Sequence, residues 1–397
     1  MSSNASAITV RPRTDYIDWL RIFAVLLLIY FHTARIFDLV GPFYVKSKQT
    51  SVALTGLILF LDVWHMHVFF LLSGAGTFFA LGFRSGKKYA WERFKRIFIP
   101  FVFGTVVLIP PQGYYTLLSH PDFHKTYLQY LPQFFAIDPK TAGGYRGTFE
   151  WGHLWFLLYL FTFSLVALPL FLHLRKPAGT KWVDRLAELI DRPWGIFLPV
   201  LPLGLIEVLL RPHWPNGNQN LVDDWANFFT YLSFFICGYL LCADTRFGKA
   251  IDRALKITLP AALVAMPVFL FMHKLDFARH RGYTPPYLAL MFFRSVTTWL
   301  WIVALLGLGR KFLNFHNRVL AYANQAAYPF YILHQTVIVV IGYYVLKLGL
   351  GVPVGYLMIT TASLVACILI YDLCIKRWNP VRFLFGMKTK VSPKPEK

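Results

Sequence analysis

The chain has 397 residues, 56% of them hydrophobic and only 15% charged, with a mean hydropathy of +0.50. That composition excludes a soluble globular domain of this size. It also takes the net charge of +21 out of the nucleic-acid class, provided membrane topology accounts for it.

Apolar runs of about 20 residues recur along the chain, each able to cross the ~30 Å hydrocarbon core as a helix. They lie near 17–37, 54–82, 97–118, 151–173, 194–210, 226–243, 257–273, 288–309, 321–346 and 354–375. The expectation is an all-α integral membrane protein, a polytopic bundle of about ten transmembrane helices. A disordered N-terminus over 1–14 precedes a single transmembrane domain over 15–378, and a basic tail over 379–397 follows it, disordered from Lys388. The two arginines before the first span resemble the start of a signal peptide, but no small-residue cleavage site follows them.

The first span carries Arg21 and His32. A charged side chain at bilayer depth costs at least ~2.5 kcal/mol, so such residues usually face a polar cavity or a function. Eleven residues of helix return the two side chains to within about 20° of one face, about 16 Å apart. Asp18, one turn from Arg21, most simply pairs with it. The second span holds His65 near mid-depth and the run Ser73-Gly74-Ala75-Gly76, whose small side chains allow close helix packing. Arg93 and Arg96, three apart before the third span, suit bidentate phosphate binding and equally suit a plain cytoplasmic cation cluster.

Residues 119–150 and 211–225 mix aromatic rings with amides and carboxylates. Such mixtures suit sugar hydroxyls, and also ordinary Pro- and Gly-rich turns. His153 opens the fourth span in Glu150-Trp151-Gly152-His153-Leu154-Trp155, and His334 lies near the middle of the ninth. Three histidines at similar depth, His32, His65 and His334, suggest acid–base work or a proton relay, because imidazole can take and return a proton near neutral pH. Asp62, Glu207, Arg294 and Asp372 read as structural pairs. The four cysteines have no metal-ligand spacing, and no metal is expected. A Walker phosphate loop, a nucleophile elbow and a His-Glu-x-x-His site are missing, which disfavours ATP-driven pumping and serine or zinc hydrolysis.

The charge is absorbed by topology. Of the 40 Lys and Arg, 27 fall on alternate connections and the tails, 11 on the opposite connections, and Arg21 and Arg294 inside spans. The positive-inside rule then places both termini in the cytoplasm. The lipid bilayer is the expected partner, nucleic acid is not, and a homodimer is left open.

The chain resembles the acyltransferase-3 family of polytopic membrane acyltransferases, in its glucan-biosynthesis-protein-C-like branch. The resemblance rests on Asp18-Trp19-Leu20-Arg21 with His32 eleven residues on, and on His65-Met66-His67-Val68-Phe69-Phe70-Leu71-Leu72-Ser73-Gly74. It continues through Arg93-x-x-Arg96, Gly152-His153-Leu154-Trp155-Phe156-Leu157, Asp224-Trp225-Ala226-Asn227 and Tyr328-Pro329-Phe330-Tyr331-Ile332-Leu333-His334-Gln335. His67 departs from the family pattern, which often has proline there, and puts the local shape of span two in question. The resemblance implies a bacterial inner-membrane enzyme that moves an acyl group, acetyl or succinyl in class, from cytoplasmic acyl-CoA to a hydroxyl of an extracytoplasmic carbohydrate or glycolipid such as a glucan. It implies His32 and Arg21 as the essential pair; His32 is expected either to deprotonate the acceptor hydroxyl or first to take the acyl group itself, with His334 and His65 the nearest candidates to orient it or shuttle its proton. Arg93 and Arg96 are expected at the CoA phosphates, and His153, Glu150 and Trp155 at the acceptor. The rival expectation is a proton-coupled transporter or flippase for a glycan or small anion, which broken helices would favour.

Overall fold

The structure is a computed structural model and describes residues 14–137, 145–275 and 281–390. Residues 1–13 of the N-terminal segment expected to be disordered and the last seven residues of the basic tail lie outside the described residues. Among the described residues every regular element is helical. A backbone in hydrocarbon must satisfy its own hydrogen bonds, and a helix does so within one segment.

The α-helices are α1 (Asp15–Ala34), α2 (Val52–Gly82), α3 (Gly86–Arg93), α4 (Ile99–Val107), α5 (Ile109–Leu118), α6 (Tyr127–Phe135), α7 (Trp155–Val166) and α8 (Leu168–Leu174). They continue with α9 (Pro177–Asp191), α10 (Val200–Leu210), α11 (Trp225–Ala243), α12 (Thr245–Lys274), α13 (Pro285–Phe312), α14 (Arg318–Leu346), α15 (Val352–Ile370) and α16 (Asn379–Leu384). Eight stretches are long and apolar enough to cross a membrane, or up to ten when two bent pairs each count as one. The expected ten spans fall within that range. The first pair, Gly152–Val166 with Leu168–Leu174, bends by 46°. Pro169, at the start of α8, supplies the break, since it cannot donate to the preceding turn. The second pair, Pro177–Asp191 with Gly195–Leu210, bends by 111° around Pro193.

One expected connection, 84–100, is helical from Gly86 onward. Lys87, Lys88, Ala90, Glu92 and Arg93 are good helix formers, and their polarity hides a helix from any reading based on apolar runs. The helix then passes through a π-helical turn, Phe94–Phe98, before α4.

The chain forms two compact units interleaved in sequence. Unit 1 comprises residues 1–24, 59–91 and 159–320; unit 2 comprises 25–58, 92–158 and 321–397.

In unit 1, α2 and α11 meet backbone to backbone. A Cβ on Gly74 would lie 1.8 Å from the Phe235 carbonyl oxygen, and one on Gly238 would lie 1.8 Å from that of Leu71. The small-residue run of span two is therefore a packing device. One buried polar network of this unit is closed on itself. Arg211 grips both carboxylate oxygens of Glu207, at 2.9 and 2.7 Å, and donates to Asn227 at 2.8 Å, while Thr230 donates to Glu207 at 2.9 Å. Arg294 bonds Asp62 at 3.3 Å. Asp224, just ahead of α11, accepts from the Tyr159 hydroxyl and the Asn227 amide. Burial raises its carboxyl to about 6, and those two donors hold it below where burial alone would place it. In α2 the helix runs unbroken through His67, whose ring packs edge-on against Tyr231 and Phe234.

Gly74→Ala and Gly238→Ala should each drive α2 and α11 apart and destabilise the protein by about 1–3 kcal/mol, the usual range for overpacking. Thermal unfolding of the detergent-solubilised variants measures this. Unfolding midpoints equal to wild type would show that the backbones do not meet there.

Candidate active site

Unit 2 brings three of the singled-out histidines together. His32, two residues before the end of α1, lies with its ring centroid 5.1 Å from that of His334 on α14, and His334 lies 4.9 Å from His153. His153 sits in the 3-10 turn Gly152–Leu154 that leads into α7.

Two of these rings are held by one turn of α14. His334 Nδ1 is 2.7 Å from the Tyr331 carbonyl oxygen, and His153 Nε2 is 3.0 Å from that of Ile332. A carbonyl only accepts, so each of these nitrogens must carry the hydrogen. The basic nitrogen is then Nε2 in neutral His334 and Nδ1 in neutral His153. Tyr331 closes the arrangement by donating its hydroxyl to the His153 carbonyl. His153 and His334 are buried, whereas His32 is partly accessible. His32 thus combines a polar neighbour with access.

A tied loop walls the other side of His32. Phe43 stacks against its ring at 6.1 Å. The loop is locked by buried Asp38, which pairs with Arg35 and Lys46, each at 2.8 Å. Arg35 also donates to the Pro42 carbonyl at 2.8 Å, and Lys46 to that of Asp38 at 2.7 Å. This lock fixes Phe43 and Tyr44. Sequence reading missed both, because the ties join residues across an irregular loop with no periodic signal.

Glu150 lies outside the spans, next to Tyr44 and the backbone of Tyr145. Burial pushes its carboxyl up from 4.5 to about 7, and the Tyr44 hydroxyl and the Tyr145 backbone oppose that rise. Its Oε1 is buried. Burial keeps Tyr44 a neutral hydroxyl. Gly152, between Glu150 and His153, has a φ of +47°, and a Cβ there would meet the Tyr44 hydroxyl at 2.7 Å. Only glycine satisfies both demands. Beside His334, Gln335 donates to Gln112 at 2.9 Å and Gln112 to Thr336 at 2.8 Å, tying α5 to α14. Trp155, the first residue of α7, is buried.

Arg93 and Arg96 both act electrostatically on half-buried Tyr328 of α14. Arg93 ends α3 and Arg96 lies inside the π turn. The wider turn therefore changes the one-sided i, i+3 placement expected of an α-helix. Of the residues in unit 1, Arg21 pairs with Asp18 at 3.1 Å, as expected. His65 is 3% exposed and bonds the Ala24 carbonyl oxygen at 2.7 Å. That bond clamps the α1 backbone. Groups of three or more potential metal ligands do not occur among the described residues.

Comparison with known proteins gives this geometry its family. A family profile described as an acyltransferase domain matches residues 14–372. The chain belongs to the acyltransferase-3 family. It is also similar to the glucans biosynthesis protein C of Salmonella typhi and of Salmonella typhimurium, at 26% identity over 96% of each chain. The protein of that name from Salmonella paratyphi B is equally similar, at 26% identity over 96% of each chain. No solved structure matches. The chain is a multi-pass membrane acyltransferase, and its bent helices do not make it a transporter.

The raised carboxyl of Glu150 has a consequence for stability. Its folded value of about 7 lies above its unfolded 4.5, so the folded state holds the proton more tightly. The stabilisation is full below about 4.5 and is lost as pH rises through about 7. Glu150→Gln, which mimics the protonated form, should match wild type near the lower end of that window and exceed it above, by at most about 3 kcal/mol. Unfolding midpoints of the two proteins across this pH window measure the difference. A constant offset would remove the shift.

Proposed function

We propose that this acyltransferase moves an acyl group from cytoplasmic acyl-CoA to a hydroxyl of a carbohydrate outside the cytoplasm, with both termini on the cytoplasmic side of a bacterial inner membrane. The observation that carries this is the row of imidazoles His32, His334 and His153 in unit 2, in which only His32 is accessible. His32 takes the proton of the acceptor hydroxyl as the oxygen attacks the thioester carbonyl. The carbon–sulfur bond breaks, the acyl ester forms, and the proton passes from His32 to the departing thiolate. The transferred group is acetyl or succinyl in class, and the relatives' name favours a glucan as acceptor.

The other residues take supporting roles. His334, with Nε2 as its basic nitrogen, orients His32 or relieves it of its proton. Glu150, His153 and Trp155 form the acceptor side, where an ionised Glu150 takes a hydrogen bond from a sugar hydroxyl. Arg93 and Arg96 bind CoA phosphates as the two cations near Tyr328. Arg21, eleven residues before His32 on the same helix, meets the donor's amide-bearing arm. In this reading His65 supports His32 indirectly, by holding the α1 backbone at Ala24.

Purified protein supplied with labelled acetyl-CoA or succinyl-CoA and a glucan should form an acyl ester. His32→Ala should lower the rate by a factor of about 100 to 10,000, the usual worth of a positioned acid–base group. Full activity in His32→Ala would end the mechanism. Arg93→Ala combined with Arg96→Ala should raise the apparent KM for acyl-CoA and leave the KM for acceptor unchanged. An unaltered donor KM would reduce the pair to a topology signal.

A further inference from the structure

The helix α9 has four different sides. At about 100° per residue, Gly179, Val183, Ala187 and Ile190 share one buried ridge. Asp184 and Asp191 share one flank, and both are taken by arginines of α12. Arg246 pairs with Asp184, and Arg253 reaches Asp191 at 2.6 Å. The opposite flank carries Trp182, Leu186 and Leu189, with Trp182 63% and Leu189 38% exposed. Between the flanks, facing outward, run Lys181, Arg185 and, one residue past the helix end, Arg192, all exposed. Glu188 is the one carboxylate left among them. The Arg185 guanidinium lies 5.9 Å over the Trp182 ring, and Trp194 follows at 69% exposure.

The direction of α9 matters as much as its sides. It meets Gly195–Leu210 at 111°. A helix set so far from the axis of the apolar stretch 194–210, which the sequence reads as a span of its own, runs close to the membrane plane. There its apolar flank faces the acyl boundary, and its cation stripe sits at the level of the headgroups. Trp and Arg are residues that hold that depth, with apolar bodies and polar ends.

We infer that α9 is an interfacial helix whose stripe Lys181, Arg185 and Arg192 binds anionic phospholipid headgroups, while Trp182, Leu186 and Leu189 enter the acyl boundary. The α12 arginines neutralise two of the three acids of α9, so the stripe keeps an excess of positive charge. An acidic soluble partner would have no use for the adjoining apolar flank. A lipid uses both.

The test uses the full-length protein in nanodiscs of phosphatidylcholine, with and without phosphatidylglycerol, read by thermal unfolding over a phosphatidylglycerol titration. Wild type should gain stability with phosphatidylglycerol, and the gain should shrink with added salt. Combined Lys181→Gln, Arg185→Gln and Arg192→Gln should weaken the apparent affinity on the order of a hundred-fold, each cation being worth roughly a five-fold change. In phosphatidylcholine alone the triple variant should melt as wild type does. Should it misfold, Glu188→Gln decides, because it removes the carboxylate from the stripe and should strengthen the response about five-fold. An undiminished phosphatidylglycerol response in the folded triple variant, or a response unchanged or weakened by Glu188→Gln, would overturn the assignment and leave the stripe to an acidic protein partner.

Discussion

Inside hydrocarbon a hydrogen-bonding group has only the protein to bond with, and leaving one unsatisfied costs several kcal/mol. That constraint bears on where the polar side chains of this chain stand. In unit 1 it is met by closure: Glu207 is held by Arg211 and Thr230, and Arg211 also reaches Asn227. In unit 2 it is met by lending out backbone carbonyls. Two successive carbonyls of α14, Tyr331 and Ile332, accept from His334 and His153 as well as serving their own helix. A second acceptance is open to them because a carbonyl oxygen has two lone pairs. The bonds that make these histidines tolerable also fix their tautomers, so stability and chemistry share one device.

The same constraint explains how much of the fold was legible beforehand. Apolar runs and the alternation of Lys and Arg report the bilayer, which acts on every residue through local composition. The spans followed from that, and so did the packing role of Gly74 and the pairing of Arg21 with Asp18. What stayed hidden depends on direction or on long-range contact. A hydropathy window cannot tell a helix that crosses from one that lies flat, so α9 read as a plain connection although it turns by 111° into Gly195–Leu210. The π turn at Phe94–Phe98 changes the placement of Arg96 without changing composition. The helix α6 hides in a Pro- and Gly-rich loop, where its only local sign is the capping box of Thr126 with Gln129.

The site shows the same division. The candidate residues were legible because histidine and arginine are conspicuous in an apolar segment. Their grouping was not. His65 and His334 share an estimated depth with His32, yet the contact to His32 is made by His334, and His65 bonds the Ala24 backbone. His153, which sequence placed at the acceptor edge, closes against His334. Depth along a helix fixes one coordinate only. The remaining two come from packing, here from the Gln112–Gln335–Thr336 ties and from the Asp38 lock that sets Phe43 against His32.

Those two sets of ties give the site its asymmetry. His153 and His334 are immobilised by backbone bonds and buried, which suits groups that hold an orientation or pass a proton. His32 stands near the end of α1, partly accessible, against an aromatic wall whose own position rests on a buried ion pair. A residue that must meet a substrate needs access, and one that must present a fixed nitrogen needs burial; a single imidazole cannot have both. Dividing the demands among three rings resolves the conflict. Arg21 illustrates the converse. Its pair with Asp18 at 3.1 Å, with the arginine side chain 26% exposed, accounts for its presence in the span without chemistry. The imidazole that is partly accessible and set beside two others is His32, so it is His32, rather than the arginine on the same helix, that bears the weight of the functional reading.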